Sequence, residues 1–141
     1  MRKVAILLFA FLIPILANGD DARISKTFSV EMRSEFQSMP GGSWQWAHRY
    51  VNFPKGCDYV SHEMEVLDRR PSDLDDDWPD RMVVNDTLGR NADGRVFTLL
   101  ANIGAHRPIR LGPGFATITV RLSVVASCDE SGLEEMAKQF G

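Results

Sequence analysis

From residue 26 onward, apolar and polar positions alternate with a period of two, and Gly, Pro, Asn and Asp interrupt the runs at short intervals. That period puts successive side chains on opposite faces of an extended chain, so each run predicts a half-buried β-strand. Over residues 26–33, Phe28, Val30 and Met32 alternate with Thr27, Ser29, Glu31 and Arg33. Over 115–127 the pattern is cleanest: Ala116, Ile118, Val120, Leu122, Val124 and Ala126 face one way, and Thr117, Thr119, Arg121, Ser123 and Val125 the other. Residues 95–103 place Phe97, Leu99, Ala101 and Ile103 on one side. Residues 81–84 read as a short strand, and 85–94 as turn residues that end in Asp93-Gly94, a strong hairpin signal.

The runs 43–53 and 57–68 flank Pro54-Lys55-Gly56. Pro suits the first central position of a type I turn, and Gly the left-handed residue of a bulge. A three-residue loop of this kind predicts a hairpin that pairs Phe53 with Cys57, Tyr50 with Val60, His48 with His62, Trp46 with Met64 and Trp44 with Val66. A two-residue loop would set Trp44 and Trp46 opposite Glu65 and Glu63. The bulged register separates apolar from polar on both arms and is preferred. It makes the row Trp44, Trp46, His48, Tyr50 part of the core.

Residues 69–80, with two prolines and five aspartates, and 104–114, with three glycines and two prolines, read as loops. Ser131 and Glu134 have capping-box spacing and predict a short helix over 132–140, with Leu133, Met136 and Phe140 on one side. Six or so strands with turn signals between them predict an all-β protein, an antiparallel β-sandwich or partly open barrel with a short C-terminal helix.

The N-terminus departs from this pattern. Arg2 and Lys3 precede thirteen uncharged residues, Val4 to Leu16, and then Ala17-Asn18-Gly19. A positive start, an apolar run and small residues form the three-part pattern of a secretory signal peptide. A membrane anchor would need roughly 20 apolar residues, and Pro14 interrupts this run. The expected organisation is therefore a signal peptide over 1–19 and a single β-rich domain over 20–141. The protein is expected to be secreted or periplasmic, without membrane insertion after cleavage.

Composition is ordinary for a globular chain: 141 residues, 44% hydrophobic, 25% charged, with 16 basic against 19 acidic residues for a net charge of −3. Loss of Arg2 and Lys3 with the signal makes the remainder more acidic still. No basic excess points to a nucleic acid. Export also changes how Cys57 and Cys128, the two cysteines, should be read. In an oxidising compartment an even count implies a bridge. Closing a loop of about 70 residues is worth at most roughly 4 kcal/mol in chain entropy.

Several groups are candidates for chemistry. Trp44, at the rim beside Gly41-Gly42, and the row behind it could stack on a sugar ring if exposed. Trp78 stands among Asp73, Asp75, Asp76, Asp77 and Asp80 in a segment without strand periodicity. An exposed aromatic beside charges is a typical contact anchor, so Trp78, Asp75, Asp76 and Asp77 are expected to carry more partner contact than the hairpin row. Asp73, Asp75 and Asp77 begin like a calcium loop, but Trp78 and Val84 stand where an EF-hand needs Gly and Glu, which leaves only a non-EF calcium site. His48 opposite His62 could hold zinc or copper if the fold supplied further ligands, such as His106. Glu63 and Glu65 on one strand face resemble a solvated surface more than a glycosidase pair. Asn85-Asp86-Thr87 is a glycosylation sequon if the source is eukaryotic.

No G-x-S-x-G or catalytic cysteine signature occurs. The sequence leaves catalysis open and weights the reading against it. The expected function is an exported non-catalytic binding module for a glycan or a protein. The alternatives are a secreted inhibitor or effector acting on a protein target, and a small metal-binding protein using His48 and His62.

Overall fold

A computed structural model of the chain describes residues 22–37, 45–70, 81–106 and 115–141. They form six strands, β1 Ile24–Gln37, β2 Gln45–Asn52, β3 Cys57–Arg70, β4 Arg81–Arg90, β5 Val96–His106 and β6 Phe115–Cys128, followed by helix α1, Glu130–Phe140. Two three-stranded antiparallel sheets, ordered β1-β6-β3 and β2-β5-β4, pack face to face as a sandwich and do not close into a barrel. The predicted N-terminal signal segment lies outside the described residues.

The two-residue periodicity sets the core. Ile118, Val120, Leu122, Val124 and Ala126 of β6 and Leu99, Ala101 and Ile103 of β5 are fully buried, where the two central strands face each other. Phe28 and Met32 of β1 join them, with Val30 packed against the cluster. Asp93-Gly94 does close a hairpin, between β4 and β5. Gly94 adopts a positive φ of 88°, and the Asp93 carboxylate accepts from the Arg95 amide at 3.0 Å. β4 extends to Arg90, past the point where turn residues predicted its end, because Asn85, Asp86 and Thr87 find ladder partners in Asn102, Ala101 and Leu100.

The predicted β2–β3 hairpin does not form. β2 pairs with β5 and β3 with β6, so Pro54-Lys55-Gly56 carries the chain from one sheet to the other. The Cys57 amide donates to the Pro54 carbonyl at 2.9 Å, which closes the turn. The Arg95 guanidinium holds the crossing from outside. Its Nη2 donates to the carbonyls of Pro54 and Cys57, both at 2.7 Å, and more weakly to that of Phe53 at 3.4 Å. The Phe53 and Cys57 carbonyls thereby gain a donor, and the Pro54 carbonyl a second one beside the Cys57 amide.

Cys57 and Cys128 are direct cross-strand partners and form the predicted disulfide, fully buried, joining the start of β3 to the end of β6. Helix α1 follows at once. Its N-cap is Asp129, two residues before the expected Ser131. Asp129 has the extended backbone a cap requires, and its Oδ1 accepts from the Gly132 amide at 2.8 Å. Asp129 also donates its own amide to the Gly56 carbonyl at 2.9 Å, so the cap is tied to the crossing turn. Gly132 lies so close that a Cβ there would stand 2.5 Å from the Gly56 oxygen and 2.8 Å from Cys57 Sγ.

The expected face of α1 docks. Met136 is fully buried, Leu133 and Phe140 pack on the core, and Phe140 stacks on Phe28 at 5.5 Å. Gln139 acts as a substitute strand residue. Its amide accepts from the Asn52 N–H at 2.8 Å and donates to the Asn52 carbonyl at 2.7 Å, covering the end of edge strand β2.

Mass spectrometry without reduction is expected to show the Cys57–Cys128 cross-link, and replacing both cysteines with Ala should lower urea-unfolding stability by about 2–4 kcal/mol. A second outcome follows from the cap. The Gly132 amide, with Ser131 and Arg23, holds the Asp129 carboxyl below its ordinary pKa. Its stabilising contribution is therefore full above about pH 4 and lost as pH falls through the lowered folded value. Wild type should lose more stability than Asp129→Asn over that acid range in pH-dependent unfolding.

Candidate functional site

Because β2 pairs with β5, its faces are assigned differently from the hairpin reading. Val51 and then Phe53 point into the core, with Ala47 packed against it. Trp46, His48 and Tyr50 occupy the opposite, outer face. Trp46 is 41% and Tyr50 61% exposed, and His48 is exposed as well. The expectation that this row is core is thus corrected. The apolar partners that favoured it, Met64 and Val66, belong to the other sheet.

Ladder pairing defines the rest of this face. Trp46 lies opposite Gly104, His48 opposite Asn102, Tyr50 opposite Leu100 and Asn52 opposite Thr98. On the far side of β5 the same positions meet Val83, Asn85, Thr87 and Gly89 of β4. Gly104 seats the indole. A Cβ built there would come within 2.9 Å of Trp46 Cε3 and 3.1 Å of Cζ3, so only a residue without a side chain lets the ring lie over β5. The His48 ring runs nearly parallel to the indole, 14° between planes and 6.5 Å between centroids. His48 Nδ1 is hydrogen-bonded to Asn102 Oδ1 across the strands. Thr98 Oγ1 donates to the Val51 carbonyl and to Asn52 Oδ1, both at 3.2 Å. The polar neighbours of the aromatic row are thus held in place by cross-strand bonds.

From Trp46 to Asn52, Val83 to Gly89 and Thr98 to Gly104, none of the outward positions carries Asp, Glu, Lys or Arg. The outer face of the other sheet is different. Glu31, Arg33 and Glu35 of β1, Arg121 of β6, and Glu63, Glu65, Asp68 and Arg70 of β3 stand on it. Arg121 reaches Glu65 at 3.7 Å and Glu31 at 3.9 Å, both partners exposed. Such pairs contribute about 0–1 kcal/mol each and form a solvated charge ladder, which is where Glu63 and Glu65 belong.

His62 is not near His48. It projects from the inner face of β3 at the open edge of the sandwich, so the cross-strand histidine pair on which shared zinc or copper depended is not assembled. A bulge between Tyr59 and Ser61 leaves Val60 exposed and puts Tyr59 and His62, three residues apart, on one face. His62 Nε2 lies 2.5 Å from Asp86 Oδ2 of β4, and the Tyr59 hydroxyl 2.8 Å from His62 Nδ1. The Asp86 carboxylate accepts from Nε2, so the imidazole joins the phenol of β3 to the carboxylate of β4. Burial, and secondarily the Asp86 charge, push the Tyr59 pKa up. This chain bridges the two sheets at the edge away from Gln139.

Trp44, Trp78, Asp73, Asp75, Asp76, Asp77 and Asp80 lie outside the described residues, and with them the acidic contact loop and the candidate calcium ligands. Gly104, Asn102 and Asn52 escaped the sequence reading. Their signal was the alternation Thr98, Leu100, Asn102, Gly104, the outward half of the strand whose inward half was recognised. Comparison with protein-family models, curated proteins and solved structures finds no match to this chain.

Trp46→Ala is expected to cost about 1–2 kcal/mol, against about 2–5 kcal/mol for Leu99→Ala in the core, both read by chemical denaturation. Gly104→Ala should displace the indole and shift its fluorescence, with little change in far-UV circular dichroism.

Proposed function

We propose that the protein is an exported, non-catalytic glycan-binding module whose contact face is the outer surface of the β2-β5-β4 sheet. The observation that carries this reading is the exposure of Trp46 and Tyr50 on a rigid strand, beside amide and hydroxyl side chains held by cross-strand bonds. Sugar rings offer apolar C–H faces and hydroxyl rims. Flat aromatic rings receive the first by burial, and amides, which both donate and accept, receive the second. Ligand sites of this kind combine apolar area with a few placed polar groups.

Export is supported by the N-terminal pattern and by the Cys57–Cys128 disulfide, which persists in oxidising compartments. No helix among the described residues is long and apolar enough to cross a membrane.

A glycan array probed with the purified, disulfide-bonded protein tests the proposal, with hits quantified by isothermal titration calorimetry. Trp46→Ala and Tyr50→Ala are each expected to weaken the strongest hit about tenfold or more, a loss of about 1.4 kcal/mol. An array without hits, or a hit whose affinity survives the double substitution, would overturn this reading.

A further inference from the structure

We infer, resting on the sugar-binding reading above, that the ligand is an uncharged glycan whose chain runs along β2. Two observations carry the inference. The first is the distribution of charge. A quarter of the chain is charged, and the outer face of the β1-β6-β3 sheet carries Glu31, Arg33, Glu35, Arg121, Glu63 and Glu65. The face with Trp46 and Tyr50 has no Asp, Glu, Lys or Arg at its outward positions from Trp46 to Asn52, Val83 to Gly89 and Thr98 to Gly104; Arg81, opposite His106, lies beyond this stretch at the start of β4.

A carboxylated or sulfated glycan is held by Arg or Lys, whose hydrogen bonds to an anion are charge-assisted. Without them, binding such a ligand would strip water from its charge and return nothing. A cationic glycan would need carboxylates, which this face also lacks. The polar groups it does present, Asn52, Asn85, Asn102, Thr87 and Thr98, are neutral and of mixed donor and acceptor character, matched to hydroxyls.

The second observation is the line of the rings. Trp46, His48 and Tyr50 are alternate residues of one strand, spaced by about 6.7 Å per pair and about 13 Å end to end. Along β5 the facing positions are Gly104, Asn102 and Leu100, one without a side chain and one already bonded to His48. Aromatic surface therefore extends along β2 from Trp46 to Tyr50, with the exposed Phe97 ring further on, past Asn52 and beside Gly89. An extended oligosaccharide parallel to the strand meets successive rings, whereas a monosaccharide meets one.

The test is calorimetry on the full disulfide-bonded protein with two series of soluble oligosaccharides, neutral and carboxylated or sulfated, each from one to several sugars, at about 50 and 500 mM salt. Neutral oligosaccharides are expected to bind with affinity changing less than about twofold between the two salts, since no ion pair is screened. Affinity should rise at least about tenfold from monosaccharide to trisaccharide, and Tyr50→Ala should remove most of that gain. Tyr50→Phe should retain it, because the ring and not the hydroxyl supplies the surface.

Preference for the charged series, with affinity falling about tenfold in high salt and lost in Trp46→Ala, would overturn the inference while leaving the sugar-binding face standing. A flat dependence on length would overturn the alignment along β2. Failure of both series, or binding indifferent to Trp46→Ala and Tyr50→Ala together, would overturn the binding reading and the inference with it.

Discussion

The structure depends on the point where the chain leaves one sheet and enters the other, between Phe53 and Cys57. A crossing this short strands backbone carbonyls that no ladder can reach. Arg95, just ahead of β5, donates to those of Phe53, Pro54 and Cys57, and the Asp129 amide to that of Gly56. The disulfide then anchors the residue after the turn to the last strand, and Gly132 is the small residue that lets the helix start against both. Three distant segments, around residues 53–57, 95 and 128–132, meet at this one turn.

The crossing decides which side of β2 faces water. Had the turn made a hairpin, Trp46, His48 and Tyr50 would lie over β3. Because it switches sheets, β2 ends as an edge strand whose inward residues are Ala47, Arg49, which lies over Phe140, and Val51, with Phe53 beyond. The larger aromatics face outward, where Gly104 and Asn102 receive them. The proposed binding face is thus a consequence of the same geometry that the Arg95 clamp and the disulfide stabilise.

Edges are managed differently on the two sides of the sandwich. On the β2 side, the Gln139 amide caps the end of the strand and Arg49 lies over the Phe140 ring, 5.9 Å from its centroid. On the β3–β4 side, the bulge at Val60 turns Tyr59 and His62 inward to meet Asp86. A helix closes one side and a polar chain spans the other, so the central strands β5 and β6 keep their apolar residues out of water.

The amino-acid sequence by itself determined the all-β class, most strand positions, the inward set of β6, the inward Leu99, Ala101 and Ile103 of β5, the apolar face of the helix and the cysteine pairing. Each rests on local periodicity or on a count, and periodicity follows from backbone geometry alone. Phe97, expected on that inward side of β5, is exposed, and Val96 is buried in its place at the bulge opposite Arg90. The sequence did not determine strand partners. Pro54-Lys55-Gly56 is compatible with a hairpin and with a crossing, and the apolar residues of β2 fall on both faces, Trp46 and Tyr50 on one and Val51 and Phe53 on the other. Either face could have been buried. Nor could alternation foresee that Asn85–Thr87 would extend β4, since those residues join a strand only because β5 offers them partners. Tertiary structure made these decisions, because burial of a strand face is set by the sheet laid against it, and that sheet comes from residues far away in the chain.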